Sequence, residues 1–197
     1  MEYRFPHDKG PKWSSYDRQK ARYDTIKHLL GSHSVGAEIG VYKGGFGEFL
    51  RHHCSLLYLV DPWYRKGRYF SGEENSKEST LDVFLRIVEV YRNEIEAGTV
   101  MVVPEFSQPF LRGLKDDSLD WVYIDSSHTY KNTKREIELS LKRVKPGGYI
   151  IGDDWAKEGV AQAVEEVLET LGVEMVLSSD NQWAFQSPAH FGNKSNI

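Results

Sequence analysis

The sequence predicts an α/β fold with a doubly wound, mostly parallel sheet of seven strands, an antiparallel last strand and helices on both faces. Three observations support this prediction. Short apolar runs alternate with segments of helical period, and the first run breaks into a glycine-rich turn. Two further short apolar runs near the end of the chain fit a hairpin. The length of 197 residues suits a single domain with a sizeable core.

The predicted elements follow one another in regular order. A helix is expected over residues 14–30, where Gly31 can end it. The first five strands are expected over residues 35–41, 56–61, 99–103, 119–125 and 149–153, with helical segments between them. After a helix over residues 157–171, the hairpin strands are expected over residues 173–177 and 182–186. Of the remaining segments, residues 62–80 are interpreted as either a lid or an ordinary surface insertion, and residues 187–197 as a polar tail.

The stretch 35–47 carries the first functional signal. An apolar run containing Glu38 opens into a turn with Gly40 and Gly44, and Asp61 ends the next predicted strand. In doubly wound folds such a turn lets the backbone approach a ligand, and the second acid accepts hydrogen bonds from ribose hydroxyls. The pattern therefore predicts a cofactor that carries a nucleoside.

The spacing of the glycines distinguishes between cofactors. Gly40, Gly44 and Gly45 give G-x-x-x-G-G, whereas dinucleotide enzymes use G-x-G-x-x-G to hold a pyrophosphate. The Glu38 carboxylate would repel a pyrophosphate and suits the ammonium of a methionyl group. The segment Glu38-Ile39-Gly40 resembles the first motif of Rossmann-type S-adenosylmethionine-dependent methyltransferases. A tight turn with a surface acid is the alternative.

A second group of acids follows strands four and five. Asp125 ends strand four, His128 comes three residues later, and Asp153 and Asp154 end strand five. Neighbouring parallel strands deliver these residues to one crevice, where clustered carboxylates repel one another unless protons or a cation compensate them. A hard divalent cation such as Mg²⁺ would compensate these carboxylates, so a metal site is predicted at Asp125, Asp153 and Asp154.

Residues 124–130 and 145–154 extend the resemblance. They are similar to the methyltransferase family that includes macrolide-sugar O-methyltransferases, and more distantly to catechol O-methyltransferase, over roughly residues 35–186. The resemblance implies that Asp125, Asp153 and Asp154 hold the metal. Where the catechol enzymes place a lysine this chain has His128, and Ser126 stands where relatives usually have glycine. The long amino-terminal extension of the sugar enzymes is largely absent.

Roles for the individual residues follow from this resemblance. Asp125 and His128 are the predicted catalytic residues, His128 as a general base or as a group that positions the acceptor. Asp125 is also a candidate contact of the methionyl group. The alternatives are that Asp154 caps the helix at Lys157 and that His128 only stabilises its turn. Backbone N–H groups near Phe106 and the Ser107 hydroxyl are expected beside adenine.

Composition limits the partners. The net charge of −4 with interleaved signs gives no basic field for nucleic acid, and no apolar run approaches the roughly 18 residues of a membrane span. The start of the chain lacks a signal-peptide core, so a cytoplasmic location is expected. Cys54 is the only cysteine, which excludes an internal disulfide. A homo-oligomer is compatible with the sequence. The mixed charges over residues 131–143, including Glu136, are interpreted as a solvated helix face.

Together these features predict an S-adenosylmethionine-dependent O-methyltransferase, assisted by Mg²⁺, that acts on a small-molecule hydroxyl of a sugar or natural product. The metal would lower the pKa of the acceptor oxygen while the protein aligns it with the methyl group. Two alternatives stay open. One is a cofactor-binding module whose acceptor pocket has degenerated, and the other is an NAD-dependent oxidoreductase on the same fold, which the turn spacing disfavours.

Overall fold

A seven-stranded sheet organises the computed structural model, which describes residues 4–5, 15–63, 80–179 and 181–189. Its strands are β1 Ser34–Ile39, β2 Cys54–Val60, β3 Val100–Val103, β4 Leu119–Ile124, β5 Val144–Gly152, β6 Met175–Ser179 and β7 Gln182–Gln186. They lie in the order β3-β2-β1-β4-β5-β7-β6. Strand β7 runs antiparallel to β5 and β6, and the pairs among β1 to β5 are parallel. The predicted fold class is confirmed.

Helices cover both faces of the sheet. They are α1 Tyr16–Ile26, α2 Gly47–Leu50, α3 Thr80–Val90, α4 Arg92–Glu96, α5 Ser107–Gly113, α6 Tyr130–Arg143 and α7 Glu158–Leu171. Residues of α1, α2 and α3 share one hydrophobic cluster, and residues of α5, α6 and α7 share the cluster on the opposite face. Within the described ranges, none of these helices has the length and hydropathy needed to cross a membrane.

The alternation of side chains along β4 and β5 decides where the acids at their ends point. Trp121 and Tyr123 face the cluster under α1, whereas Val122 and Ile124 face the other cluster. A period of two therefore carries Asp125 to the α1 side. The sheet continues through the acids, because the Asp125 N–H donates to the Ile39 carbonyl at 2.8 Å and the Asp153 N–H to the Ile124 carbonyl at 3.1 Å.

Strands β5 and β6 differ most from their predicted boundaries. Strand β5 begins at Val144, five residues early, although Pro146, Gly147 and Gly148 read as a turn. Backbone hydrogen bonds between this segment and Ser187 hold it extended, with Gly147 donating to Ser187 and Ser187 donating to Gly148. Strand β6 lies about two residues later than expected. Most of the predicted lid, residues 64–79, lies outside the described residues, as do residues 190–197 of the predicted tail.

The interpretation of residues 131–143 as a solvated face is wrong for one residue. Glu136 is only 2% exposed. It lies at helical spacing from Thr133, Ile137 and Ser140, which are also buried. Helical geometry therefore carries this carboxylate inward, while the neighbouring charges face solvent.

Candidate active site

The turn after β1 brings two parts of the backbone unusually close. Gly40 has a φ of +92°, and a Cβ at this position would lie 2.1 Å from the carbonyl oxygen of Asp125. Its N–H continues the sheet by donating to Val60 at 2.9 Å. No side chain fits this space, so glycine is required both by conformation and by contact. The turn is thus held against the end of β4 at the carboxyl edge of the sheet.

Glu38 lies in β1 just before this turn, and one oxygen of its buried carboxylate has no hydrogen-bond partner among the described residues. The residue is 2% exposed, and the oxygen in question is its Oε2 atom. Burial raises the pKa of Glu38 well above its ordinary value; Arg22 opposes this shift, and Asp125 and Asp61 add to it. A buried carboxylate without a partner is costly unless a proton or a ligand cation meets it. The site therefore suits a cationic group.

Asp61 connects the glycine-rich turn to the chain after β2. It is 5% exposed, and its two oxygens accept from the N–H groups of Tyr42 at 3.0 Å and Trp63 at 2.9 Å. A carboxylate has about four acceptor positions, so these bonds are compatible with a further bond from a ribose hydroxyl. Asp61 lies where the sequence predicts it, at the end of β2.

The structure brings together Asp125, His128 and Asp154. One ligand atom from each of the three lies within 4.8 Å of the other two. His128 Nε2 lies 2.6 Å from Asp154 Oδ2. Asn181 Nδ2 also donates to Asp154 Oδ1 at 3.3 Å. This cluster combines two carboxylates and an imidazole at one point of the crevice.

Mutual contacts set the charges in this cluster. The hydrogen bond with Asp154 raises the pKa of His128, against the effect of partial burial. Burial alone would raise the pKa of Asp154, but hydrogen bonds from His128 and Asn181 lower it below the ordinary value. Burial raises the pKa of Asp125 to about 6; Arg22 opposes the shift and Asp153 reinforces it. The His128–Asp154 pair therefore favours the charged form of both partners.

Asp153 lies beside the cluster and has a different partner. Its Oδ2 atom lies 3.1 Å from Nε of Arg22, and its Oδ1 atom is buried with no hydrogen-bond partner among the described residues. Asp153 is not part of the three-residue group whose ligand atoms lie within 4.8 Å. The predicted role of Asp153 as a metal ligand stays a prediction.

Arg22, which the sequence patterns did not predict as a site residue, reaches the crevice from α1. It is 6% exposed and donates to Asp125 Oδ2 at 2.6 Å, to the Tyr123 hydroxyl at 2.9 Å and to Gln19 Oε1 at 2.9 Å. Burial lowers the pKa of this guanidinium, but Tyr123 and the two acids Asp125 and Asp153 raise it well above its ordinary value. Arg22 is therefore a buried, permanently charged partner of two site carboxylates.

The loops after β3 and β4 meet at Glu136. The hydroxyls of Ser107 and Ser126 both donate to its carboxylate, that of Ser126 at 2.7 Å. Burial raises the pKa of Glu136, and the two serine bonds oppose the shift. Ser126, which departs from the glycine of relatives, thus has a structural partner. Phe106 precedes Ser107 and is 58% exposed. Whether these two residues contact adenine stays a prediction.

Comparison with known proteins assigns the family. The model of a family described as Methyltransferase domain matches residues 37–155, more than half of the chain. The chain belongs to this family. The matched region of this methyltransferase domain runs from β1 to the residues after β5, and it contains Glu38, Asp61, Asp125 and His128 together with both acids after β5.

Individual relatives are more distant. An uncharacterized protein, R132, of Acanthamoeba polyphaga mimivirus is 27% identical over 125 residues, which are 60% of this chain and 50% of that protein. The chain thus spans about half the length of this curated relative. The O-methyltransferase NovP superposes with a TM-score of 0.60 at 18% identity, over 88% of this chain and 81% of NovP. An O-methyltransferase from Bacillus cereus, solved in complex with SAH, superposes with a TM-score of 0.56 at 17% identity, over 92% of this chain and 84% of that chain. These similarities show the fold.

Proposed function

We propose that this methyltransferase domain transfers a methyl group from S-adenosylmethionine to a hydroxyl of a small molecule. The observation that carries the proposal is the arrangement of one sheet edge. A glycine-rich turn with two buried acids, Glu38 and Asp61, adjoins a cluster of Asp125, His128 and Asp154. The turn with its two acids, which we call the cofactor half, suits a cationic nucleoside. The cluster, which we call the acceptor half, suits removal of a proton from an acceptor. NovP and the Bacillus cereus protein, both called O-methyltransferases, support this reading.

The cofactor half fits S-adenosylmethionine in two respects. The close approach of Gly40 to the Asp125 backbone fixes the turn at the sheet edge where Glu38 lies near the end of β1, and the partnerless Oε2 of Glu38 provides an acceptor for an ammonium. Asp61 would accept from the ribose. Phe106 and Ser107 follow β3 at the same edge, where the predicted adenine contact would form.

The acceptor half positions a base. Asp154 accepts a hydrogen bond from His128 Nε2 and so holds the imidazole in one orientation, with its lone pair on Nδ1 when neutral. In the proposed reaction the acceptor oxygen attacks the methyl carbon, and the electron pair of the carbon–sulfur bond passes to sulfur. His128 takes the proton that the acceptor hydroxyl loses. Asp125, next to both, would orient the acceptor.

A divalent ion fits the cluster through the carboxylates of Asp125 and Asp154, which are hard oxygen donors. An ion bound there would lower the pKa of the acceptor hydroxyl. The distances within the cluster also allow His128 as a third ligand. Mg²⁺ remains the predicted ion, and Mn²⁺ is a suitable probe because it accepts both oxygen and imidazole ligands.

Chelation tests the metal-assisted form of this proposal. Transfer of labelled methyl from S-adenosylmethionine to a panel of sugar and natural-product hydroxyls is expected to fall by about 100-fold or more after exhaustive chelation, since Lewis-acid assistance contributes several kcal/mol. Added Mg²⁺ should restore it. Full activity after chelation would contradict the role of the metal but not the proposal that the domain transfers a methyl group. Binding of the donor without transfer to any acceptor would indicate a degenerate module.

Replacing Asp61 tests the cofactor half. Asp61→Ala is expected to weaken S-adenosylhomocysteine binding by about 10- to 150-fold, because a hydrogen bond to a charged group contributes about 1.5–3 kcal/mol. Isothermal calorimetry measures this change. Asp120→Ala is the matched control: that carboxylate also accepts from a backbone N–H, of Val35 at 2.7 Å, but lies at the opposite edge of the sheet. Undiminished affinity in Asp61→Ala would remove Asp61 from the binding site.

A further inference from the structure

Arg22 connects the first helix to the acids of the crevice. Strand alternation turns Asp125 and Asp153 toward α1, and Arg22 lies on the buried stripe of that helix with Gln19 and Ile26. Its guanidinium contacts both acids at once, with Nη2 2.6 Å from Asp125 and Nε 3.1 Å from Asp153. Nη2 donates a hydrogen bond to Asp125, whereas the contact with Asp153 is an ion pair, since the Nε–H group donates to the Tyr123 hydroxyl at 3.3 Å.

The charges of the crevice are therefore partly compensated within the protein, by one guanidinium and one imidazole for three carboxylates. The sequence predicts that clustered acids need an added cation, but Arg22 serves Asp125 and Asp153, and His128 pairs with Asp154. A divalent ion near Asp153 would have to share that carboxylate with a positive charge 3.1 Å away. Arg22 also pairs with Asp125, which nevertheless offers a ligand atom within 4.8 Å of those of His128 and Asp154. Asp153 is different, because one of its oxygens faces Arg22, which repels a cation there, and the other is buried.

We propose that Arg22 is a positioning residue that acts as the resident cation of Asp125 and Asp153 and withholds Asp153 from a divalent ion. The inference rests on the proposed function, because it concerns an ion expected at Asp125 and Asp154. An ion at the crevice then binds through Asp125 and Asp154, and its affinity is limited by the nearby guanidinium. Removal of Arg22 should free Asp153 and create a tighter site.

Mn²⁺ binding, followed by electron paramagnetic resonance of the free ion, tests the proposal on the full chain. Arg22→Gln is expected to bind Mn²⁺ about tenfold more tightly than the wild type, because it removes a repulsive charge and exposes a carboxylate. Lys20→Gln is the matched control: it removes one positive charge from the same helix, but at an exposed position paired with Asp24. Its Mn²⁺ affinity should equal that of the wild type.

A second substitution identifies the freed ligand. Asp153→Asn added to Arg22→Gln should abolish the gain, whereas in the wild-type background it should change Mn²⁺ affinity by no more than about twofold. Unchanged or weaker Mn²⁺ binding in Arg22→Gln, or a gain that persists without Asp153, would overturn the proposal, as would no Mn²⁺ binding by either protein. A merely structural role for Arg22 predicts no gain.

If Arg22→Gln does not fold, a second substitution at the same position tests the proposal. Arg22→Met also removes the charge, and its unbranched side chain can keep the packing against the Phe46 ring, so tighter Mn²⁺ binding than in the wild type is again expected. Affinity equal to the wild type would overturn the proposal. S-adenosylhomocysteine binding is measured in parallel on the wild type. Its absence would contradict the proposed function, whereas the Mn²⁺ result alone decides the role of Arg22.

Discussion

Gly40→Ala is expected to reduce S-adenosylhomocysteine affinity by about 100-fold or more and to destabilise the fold. The added Cβ would lie 2.1 Å from the Asp125 carbonyl oxygen, so the turn after β1 and the loop after β4 must separate. A misplacement of about 1 Å can cost about 100-fold in catalysis, and we expect a comparable loss of ligand affinity here. The residue would also keep a φ near +92°, which side chains rarely adopt.

Gly98→Ala is the matched control for this substitution. Gly98 has a φ of +71°, but a Cβ there meets no atom within 4 Å. Its replacement should cost only the conformational strain, about 1–2 kcal/mol of unfolding free energy, with unchanged ligand affinity. Calorimetry and urea denaturation measure the two effects. Equal behaviour of the two variants would show that the close approach at Gly40 does not form the cofactor site.

His128→Ala is expected to lower the turnover of methyl transfer by about 10²- to 10⁴-fold, the range typical of general-base catalysis. S-adenosylhomocysteine affinity should change little, because His128 contacts Asp154 on the acceptor side of the crevice. A fall in turnover with unchanged donor affinity distinguishes a role in chemistry from a role in binding. The measurement is steady-state transfer to the best acceptor of the panel.

His28→Ala provides the control, since His28 is an exposed histidine in the short turn after α1. Its turnover should equal that of the wild type. Near-normal turnover of His128→Ala from pH 6 to 9 would show that His128 belongs to the structure of its loop. A large loss of Mn²⁺ affinity in the same variant would assign it instead as a metal ligand.

The carboxyl edge of the sheet was predictable because local patterns define it. Glu38, Asp61 and Asp125 each come at or near the end of an apolar run, and parallel strands carry such residues to one edge. The antiparallel last strand was predictable for a similar reason, since the two runs before Gln186 are separated by a turn signal. Local chemistry thus indicates both the fold and the position of the site.

Long-range partners were not predictable in the same way. Arg22 meets Asp125, which lies 103 residues later, and nothing near either residue in sequence specifies the pair. One signal was available: Arg22 shares the spacing of Gln19 and Ile26, so a cation lay on the buried stripe of α1. The burial of Glu136 was not predicted because charged residues of both signs surround it in the sequence. Its spacing from Thr133 and Ile137 nevertheless places it on the inward face of the helix.

The central claim is that this methyltransferase domain binds the methyl donor at the carboxyl edge of β1 and β2. Calorimetric titration of the wild-type protein with S-adenosylhomocysteine, with and without Mg²⁺, and in parallel with NAD⁺, tests it most directly. We expect saturable one-to-one binding of S-adenosylhomocysteine in both conditions and no binding of NAD⁺. Binding of NAD⁺ in place of S-adenosylhomocysteine would contradict the central claim.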